Sequence, residues 1–121
     1  MEFRCRKIIM PSNLNGASTL FGGQALAWID EEAAVYAACQ MGTTRLVTKL
    51  MSQVDFKSPA FLGDIIEVGC DVVHVGNTSL SVTCVMRNKT TAQEILSVDK
   101  IVFVSVDENG RPTPHSAKKV P

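Results

Sequence analysis

The sequence predicts an α+β fold in which an antiparallel β-sheet wraps around one long central α-helix. Residues 22–41 are the only long segment rich in helix-favouring residues, and the segment has little polar surface. About four strand-like segments follow it, with alternating apolar residues and short turns between them. A single helix of this apolar character has to be covered by the sheet on most of its sides.

Composition favours one folded domain. We expect that domain to span residues 1–121, with a polar tail over about 114–121, because 121 residues suit a single core. A hydrophobic content of 45% is enough to fill that core. Twelve basic and twelve acidic residues give a formal net charge of zero, so neither nucleic acid nor a membrane surface is an expected partner.

No targeting or metal-binding pattern stands out. The N-terminus lacks the apolar core of a signal peptide, and no segment approaches the roughly 18 apolar residues of a membrane span, so a cytoplasmic protein is expected. We expect no metal site, because the cysteines and histidines lack zinc-ligand spacing. Cys70 and Cys84 fall in strand-like runs and are interpreted as small buried apolar residues. The remaining cysteines and histidines are Cys5, Cys39, His74 and His115.

The elements follow in a simple order. Residues 3–9 read as a short strand that ends before Pro11, and residues 11–19 form a turn-rich loop. The helix covers 22–41, and Gly42 supplies its C-terminal stop. Alanines along the helix allow strands to approach it closely.

Four strands are predicted after the helix, at 45–56, 65–75, 78–87 and 94–106. Alternation assigns one face of each of the last three strands to the core. These faces are Ile66, Val68, Cys70 and Val72; Leu80, Val82, Cys84 and Met86; and Leu96, Val98, Val102 and Val104, the last interrupted by Lys100. A single sheet leaves open edges, so edge-to-edge dimerisation is expected.

Four fragments, in this order, resemble one known family. They are MPSNLNGASTLFGGQALAWID at 10–30, VDFKSPAFLGDIIEV at 54–68, VGNTSLSV at 75–82 and FVSVDENGRPTP at 103–114. Together they are similar to the hotdog-fold acyl-CoA thioesterases, and most of all to the YciA-like acyl-CoA hydrolases. The resemblance covers the chain from about residue 10 to 115.

The resemblance implies a hotdog fold and hydrolysis of acyl-CoA to free CoA and a carboxylic acid. It implies no cofactor, since the CoA moiety is part of the substrate. It also implies a homodimer at least, and a tetramer or hexamer as the expected assembly.

Three consecutive acids lie inside the apolar helix. Each helical residue rotates by about 100°, so Asp30, Glu31 and Glu32 face different directions and cannot share one task. Asp30 matches the helix aspartate of the family, which implies a role as general base or nucleophile. Its apolar helix neighbours would desolvate the carboxylate and raise its pKa. Glu31 and Glu32 are interpreted as ordinary boundary charges, with a contact to a second subunit as the alternative.

The resemblance also implies two partners for Asp30. Asn15 matches a loop asparagine that orients the water or the thioester carbonyl near an aspartate of a neighbouring subunit, although a simple turn-forming asparagine is the competing interpretation. Gly23 matches a glycine whose N–H holds the oxyanion at the helix start. The family carries a glycine at the position of Ser18, whereas this chain has its glycine at Gly16.

For the CoA moiety, the resemblance points to Thr78 and Ser79 in the turn after the second of these four strands. The candidate phosphate partners are Arg87, Lys89, Lys57 and Lys100. For each lysine, a solvated surface position is the competing interpretation.

Two other functions remain open at this point. A non-catalytic domain that binds or senses acyl-CoA would share the fold. A hotdog dehydratase or hydratase is a further alternative, but that chemistry pairs a histidine with a carboxylate, and neither His74 nor His115 lies near the helix start in sequence.

Overall fold

The computed structural model describes residues 1–117, in which one long helix packs on a five-stranded antiparallel sheet. The elements are β1 (Glu2–Ile8), a 3₁₀ turn (Pro11–Asn13), α1 (Gly22–Met41), β2 (Leu46–Phe56), β3 (Ile65–Val75), β4 (Ser79–Asn88) and β5 (Glu94–Ser105). The strand order is β1-β3-β4-β5-β2, with every neighbouring pair antiparallel. The predicted fold class is confirmed. Within the described residues, no helix has the length and apolarity needed to cross a bilayer.

Helix α1 has the predicted bounds. It starts after Phe21, whose backbone is extended, and it stops at Gly42, which adopts a left-handed φ of 70° and donates its N–H to the Ala38 carbonyl. One face packs on the sheet through Ala25, Trp28, Ile29, Ala33, Ala37 and Met41. The opposite side, including Glu31 and Val35, stays exposed. The expectation that one sheet covers the helix on most sides is therefore not met within a single protomer.

The predicted core faces of β3 and β4 hold. Leu80, Val82, Cys84 and Met86 are fully buried, as are Ile66 and Val68. Cys70 and Cys84 oppose each other across the two strands, with their Sγ atoms 2.8 Å apart, and both are buried as predicted.

The predicted core face of β5 is wrong at Val102. The register between β4 and β5 shifts where Val82 pairs with Ile101 and Cys84 pairs with Val98, so β5 carries an extra residue there. After this bulge Ile101 and Phe103 are fully buried, Val102 is half-buried, and Val104 is buried as predicted. Lys100 is exposed within the bulge and does not interrupt a core face.

The segment after β5 returns across the end of the helix. Residues 112–117, called here the C-terminal strap, are tied down by a hydrogen bond from the Thr113 N–H to the Ser105 carbonyl and by one from the Ser116 Oγ to the Met41 carbonyl. Residues 114–117 of the predicted tail are thus anchored. Residues 118–121 lie outside the described part of the chain.

Candidate active site

Asp30 lies in the third turn of α1, beside the start of β2. The Thr48 hydroxyl donates a 2.8 Å hydrogen bond to Asp30 Oδ1. Thr48 pairs with the buried Phe103, which places its side chain on the helix side of the sheet. The carboxylate is half-buried, so it is fixed by the Thr48 bond and still accessible from outside the protomer. Sequence reasoning missed Thr48, because only the register of β2 against the helix brings the two side chains together.

The three consecutive acids diverge as predicted. Glu31 is exposed, whereas Glu32 is half-buried and lies beside Cys5 of β1. Burial and the nearby Glu32 carboxylate raise the pKa of the Cys5 thiol. Neither glutamate shares the surroundings of Asp30.

The carboxamide of Asn15 organises its own loop. Its Oδ1 accepts hydrogen bonds from the backbone N–H groups of Ala17 (2.9 Å) and Thr19 (3.1 Å), and its Nδ2 donates to the Thr19 Oγ1 (3.0 Å). An amide nitrogen carries two hydrogens, so one remains to donate to another molecule. The loop role and a donor role towards a ligand are therefore compatible.

Ser18, where the resemblance leads us to expect glycine, adopts a backbone conformation that suits glycine best. Its φ is +62°, in the left-handed region that residues other than glycine adopt at a cost. Gly16, where this chain has its glycine, faces open space. The loop that carries Asn15 thus closes despite the displaced glycine.

The helix start lines a cleft of about 320 Å³ that also includes Asn15. Its walls are Asn15, Thr19, Leu20, Gly22, Ala25, Phe56, Lys57, Ser58, Pro59, Ala60 and Ile95. No side chain caps the helix, so the N–H groups of its first turn, including that of Gly23, point out of the helix unpaired by a cap. A Cβ at Gly23 would lie 2.7 Å from the edge of the exposed Phe21 ring, so a larger residue there would displace that ring.

Gly23 and Asp30 of one protomer do not meet. Seven residues separate them, which is almost two helical turns and about 10.5 Å along the axis. They share a helix face but cannot contact the same carbonyl group. One protomer therefore presents two half-sites, an aspartate with Thr48 and a helix start with Asn15.

The turn between β3 and β4 lines a second groove of about 370 Å³, on the opposite side of β2 from Asp30. Its walls are Val47, Lys49, Thr78, Ser79, Val104, Val106, Gly110 and Pro112. Thr78 and Ser79 come together here as expected from the sequence. The cation beside them is Lys49, which sequence reasoning missed because its neighbours in space are distant in the chain.

The four predicted phosphate partners lie elsewhere. Arg87 follows Ser79 by eight strand residues, or about 26 Å along β4, and its Nε donates a 2.8 Å hydrogen bond to Glu67. Lys57 donates a 3.1 Å hydrogen bond to Glu94 at that same end of the sheet. Lys89 lines a small basic cleft there, and Lys100 is exposed in the β5 bulge. The structure does not bring these four residues to Thr78 and Ser79.

Within the described part of the chain, neither histidine lies at the helix start. His74 is exposed on β3, and His115 lies beside Ser79 at the far end of α1. Across residues 1–117, no group of three side chains has the arrangement of a metal site.

Comparison with known proteins gives a consistent set of relatives. Residues 17–95 match the model of the thioesterase superfamily. An uncharacterized acyl-CoA thioester hydrolase of Bacillus subtilis is 32% identical over 88% of this chain, which spans 63% of that relative's length. An uncharacterized acyl-CoA thioester hydrolase of Zymomonas mobilis is 31% identical over 88% of this chain and 73% of its own length.

Solved structures share the whole architecture. A hexameric hotdog fold thioesterase of Campylobacter jejuni superimposes with a TM-score of 0.85 at 35% identity, covering 96% of this chain and 91% of its own. An acyl-CoA hydrolase of Staphylococcus aureus, solved with butyryl coenzyme A, gives 0.82 at 29% identity, covering 93% of this chain and 68% of its own. That hydrolase has also been solved with alanine in place of an aspartate, and with alanine in place of an asparagine fifteen residues earlier.

Proposed function

This chain belongs to the thioesterase superfamily of hotdog-fold proteins, and on that premise we propose that it hydrolyses acyl-CoA to free CoA and a carboxylic acid. The observation that carries the proposal is the half-buried Asp30 carboxylate, which Thr48 holds through one oxygen, Oδ1. The fifteen-residue spacing of Asn15 and Asp30 equals that of the substituted asparagine and aspartate in the Staphylococcus hydrolase. The proposed reaction needs water and no cofactor.

Asp30 supplies the base or the nucleophile. As a base, it removes a proton from water while the water oxygen attacks the thioester carbon. As a nucleophile, it attacks that carbon itself and forms a mixed anhydride that water then cleaves. On either route the C–S bond breaks, the sulfur leaves as the CoA thiolate and is protonated, and the acyl group leaves as a carboxylic acid.

The oxyanion is held by groups of a second copy of the chain. Gly23 of the same protomer is too far from Asp30, whereas Gly22 and Asn15 line one cleft. The Gly23 N–H and the remaining Nδ2 hydrogen of Asn15 are then two donors for one carbonyl oxygen. A homo-oligomer, at least a dimer and otherwise a tetramer or hexamer, completes the site in this proposal. The hexameric relatives support it.

The groove beside Thr78 and Ser79 receives the CoA portion of the substrate. Lys49 offers a cation for a phosphate group, and the two hydroxyls offer donors to the pantetheine amides. The groove lies across β2 from Asp30, so substrate would pass the β2 edge to reach the carboxylate. We therefore propose Lys49, ahead of Arg87, as the phosphate contact; its place beside Thr78 and Ser79 supports this.

The test is release of free thiol from a panel of acyl-CoA esters, with matched variants. Asp30→Ala should lower kcat by about 10²- to 10⁴-fold, the range of a positioned acid–base group. Glu31→Ala removes the adjacent exposed acid and should leave kcat within about twofold. Asn15→Asp keeps the oxygen that organises the loop but loses the amide donors, so it should lower kcat with the fold intact.

Two outcomes would overturn the proposal. Unchanged turnover in Asp30→Ala would exclude the carboxylate chemistry. Tight binding of acyl-CoA without thiol release by the unsubstituted protein would favour a binding or sensing domain. In a separate single-turnover reaction in ¹⁸O-water, label found in the peptide that contains Asp30 would assign the nucleophile route.

A further inference from the structure

The imidazole of His115 bridges the C-terminal strap and the turn between β3 and β4. Its Nδ1 accepts a 3.1 Å hydrogen bond from the Ala117 N–H, which places the ring proton on Nε2. Nε2 in turn donates a 2.7 Å hydrogen bond to the Ser79 carbonyl. Both ring nitrogens are therefore engaged, and the tautomer is fixed by the surrounding backbone.

A second contact joins His115 to the same turn. Its backbone N–H points to the Asn77 carbonyl at 3.3 Å. The turn itself closes through a hydrogen bond from the Gly76 N–H to the Ser79 carbonyl, at 2.9 Å. One carbonyl oxygen, that of Ser79, thus accepts both the closing bond of the turn and the imidazole bond.

The strap that carries His115 has its own anchors. The backbone N–H and the side-chain Oγ of Ser116 both point to the Met41 carbonyl at the end of α1. The Thr113 N–H bonds to Ser105 at the end of β5. His115 is therefore presented to the turn from a segment that is fixed to both the helix and the sheet.

We propose that His115 is a positioning residue, whose imidazole fixes residues 76–79 in the conformation that binds the CoA portion of the substrate. The inference rests on the proposed function, because it takes Thr78 and Ser79 as CoA contacts. His115 touches neither Asp30 nor the helix start, so it acts on binding and not on the chemical step.

The physical reason is conformational entropy. Binding that has to order a loose turn loses part of its contact energy to that ordering, whereas a turn already held in place does not. A single hydrogen bond contributes roughly 0.5–1.5 kcal/mol, or about a twofold to tenfold change in affinity. Loss of the imidazole bond to Ser79 should therefore weaken CoA binding by about that factor.

Two substitutions separate the two ring contacts. His115→Gln places an amide N–H near the former Nε2 and keeps a donor for the Ser79 carbonyl. His115→Asn places an oxygen near the former Nδ1 and keeps an acceptor for the Ala117 N–H, but it loses the donor to Ser79. Ser116→Ala is the matched control, because it removes a side-chain bond of the same strap while its backbone N–H still reaches Met41.

The experiment measures KM and kcat for an acyl-CoA, and the Kd of CoA itself by calorimetry. We expect His115→Asn to raise KM and Kd about threefold to tenfold with kcat within about twofold. His115→Gln and Ser116→Ala should stay within about twofold of the unsubstituted protein on all three measures.

Other results would overturn the proposed role of His115. Equal KM and Kd in His115→Asn and the unsubstituted protein would overturn the inference, as would a fall in kcat and melting temperature at constant KM, which marks a merely structural role. If the unsubstituted protein binds CoA but releases no thiol, the hydrolase proposal fails and the Kd contrast still tests His115. If it does not bind CoA at all, both fall.

Discussion

Ser18 carries a backbone strain that the structure makes visible and the sequence does not. Its φ of +62° lies in the left-handed region, where a side chain costs roughly 1–2 kcal/mol. The strain sits in the loop that Asn15 organises, three residues away. A glycine at this position would avoid the strain.

Ser18→Gly should therefore stabilise the protein. Relief of the left-handed strain exceeds the extra entropy that glycine loses on folding, which leaves a net gain of about 0.5–1 kcal/mol. Chemical denaturation of the variant measures the gain in the free energy of unfolding. Ser18→Ala is the control, because alanine retains a Cβ and should give no gain. A variant Ser18→Gly that is less stable than the unsubstituted protein would show that the serine side chain itself holds the loop.

Single residues also show which parts of the candidate site the sequence can predict. Asp30, Asn15 and Gly23 lie within one continuous stretch, so their pattern and spacing are visible in the chain. Thr48 and Lys49 are not, because each depends on the register of β2 against the helix and the neighbouring strand. Their roles in the proposed function remain predictions.

At the scale of elements, β5 marks the point where alternation fails. A period of two assigns Val102 to the core, but one extra residue at the bulge shifts the alternation, so Ile101 and Phe103 are fully buried while Val102 is only half-buried. Val104, which the same period also assigns to the core, is buried. The bulge lies at Asp99 and Lys100, two charged residues in an apolar strand. The helix, by contrast, is predicted to the residue because Gly22 and Gly42 bracket an uninterrupted run.

An ion cluster on the face of the sheet away from α1 joins β1, β3 and β4. Glu67 on β3 is only 4% exposed and accepts hydrogen bonds from Arg87 Nε (2.8 Å) and Arg6 Nε (3.3 Å). The Arg87 guanidinium also stacks over the Phe3 ring, 3.5 Å from its centroid. The cluster therefore joins three strands by charge and by an aromatic contact.

This cluster should make stability depend on pH. Burial of Glu67 acts to raise its pKa, but the hydrogen bonds from Arg87 and Arg6 outweigh burial and hold the pKa below the usual 4.5. A lowered carboxyl pKa stabilises the fold above the unfolded-state value, and the contribution is lost as pH falls through the folded-state value. Glu67→Gln should lower the free energy of unfolding by about 1–3 kcal/mol near pH 7.

The measurement is urea unfolding of both proteins between pH 7 and pH 3. The difference between them should shrink once the pH falls below about 4.5, the ordinary glutamate pKa. Arg6→Gln is the control. Arg6 is more exposed than Arg87 and its hydrogen bond to Glu67 is longer, so this substitution should lower the free energy of unfolding less. A difference that stays constant over the whole range would show that the charge on Glu67 does not stabilise the fold.

At the scale of the whole molecule, the protomer has an open sheet edge at β2. β2 pairs with β5 on one side only, and four of its large apolar side chains are exposed: Val47, Leu50, Val54 and Phe56. Asp30 lies beside this same edge, because it accepts its hydrogen bond from Thr48 of β2. An open edge of this length with apolar side chains normally pairs with another chain.

A charge placed on this edge should therefore dissociate the oligomer, and catalysis should be lost with it. Val54→Lys puts a cation into the proposed contact without touching Asp30, Thr48 or Asn15, so a loss of activity would report the loss of the partner. Light scattering coupled to gel filtration should show a shift to the monomer mass, and thiol release should fall in parallel. Val73→Lys is the matched control, since Val73 is an exposed valine on β3, away from β2. It should keep both the dimer and the activity. An active monomer of Val54→Lys would contradict the composite site, because Asp30 and Gly23 of one chain, about 10.5 Å apart along the helix, would then have to serve one thioester.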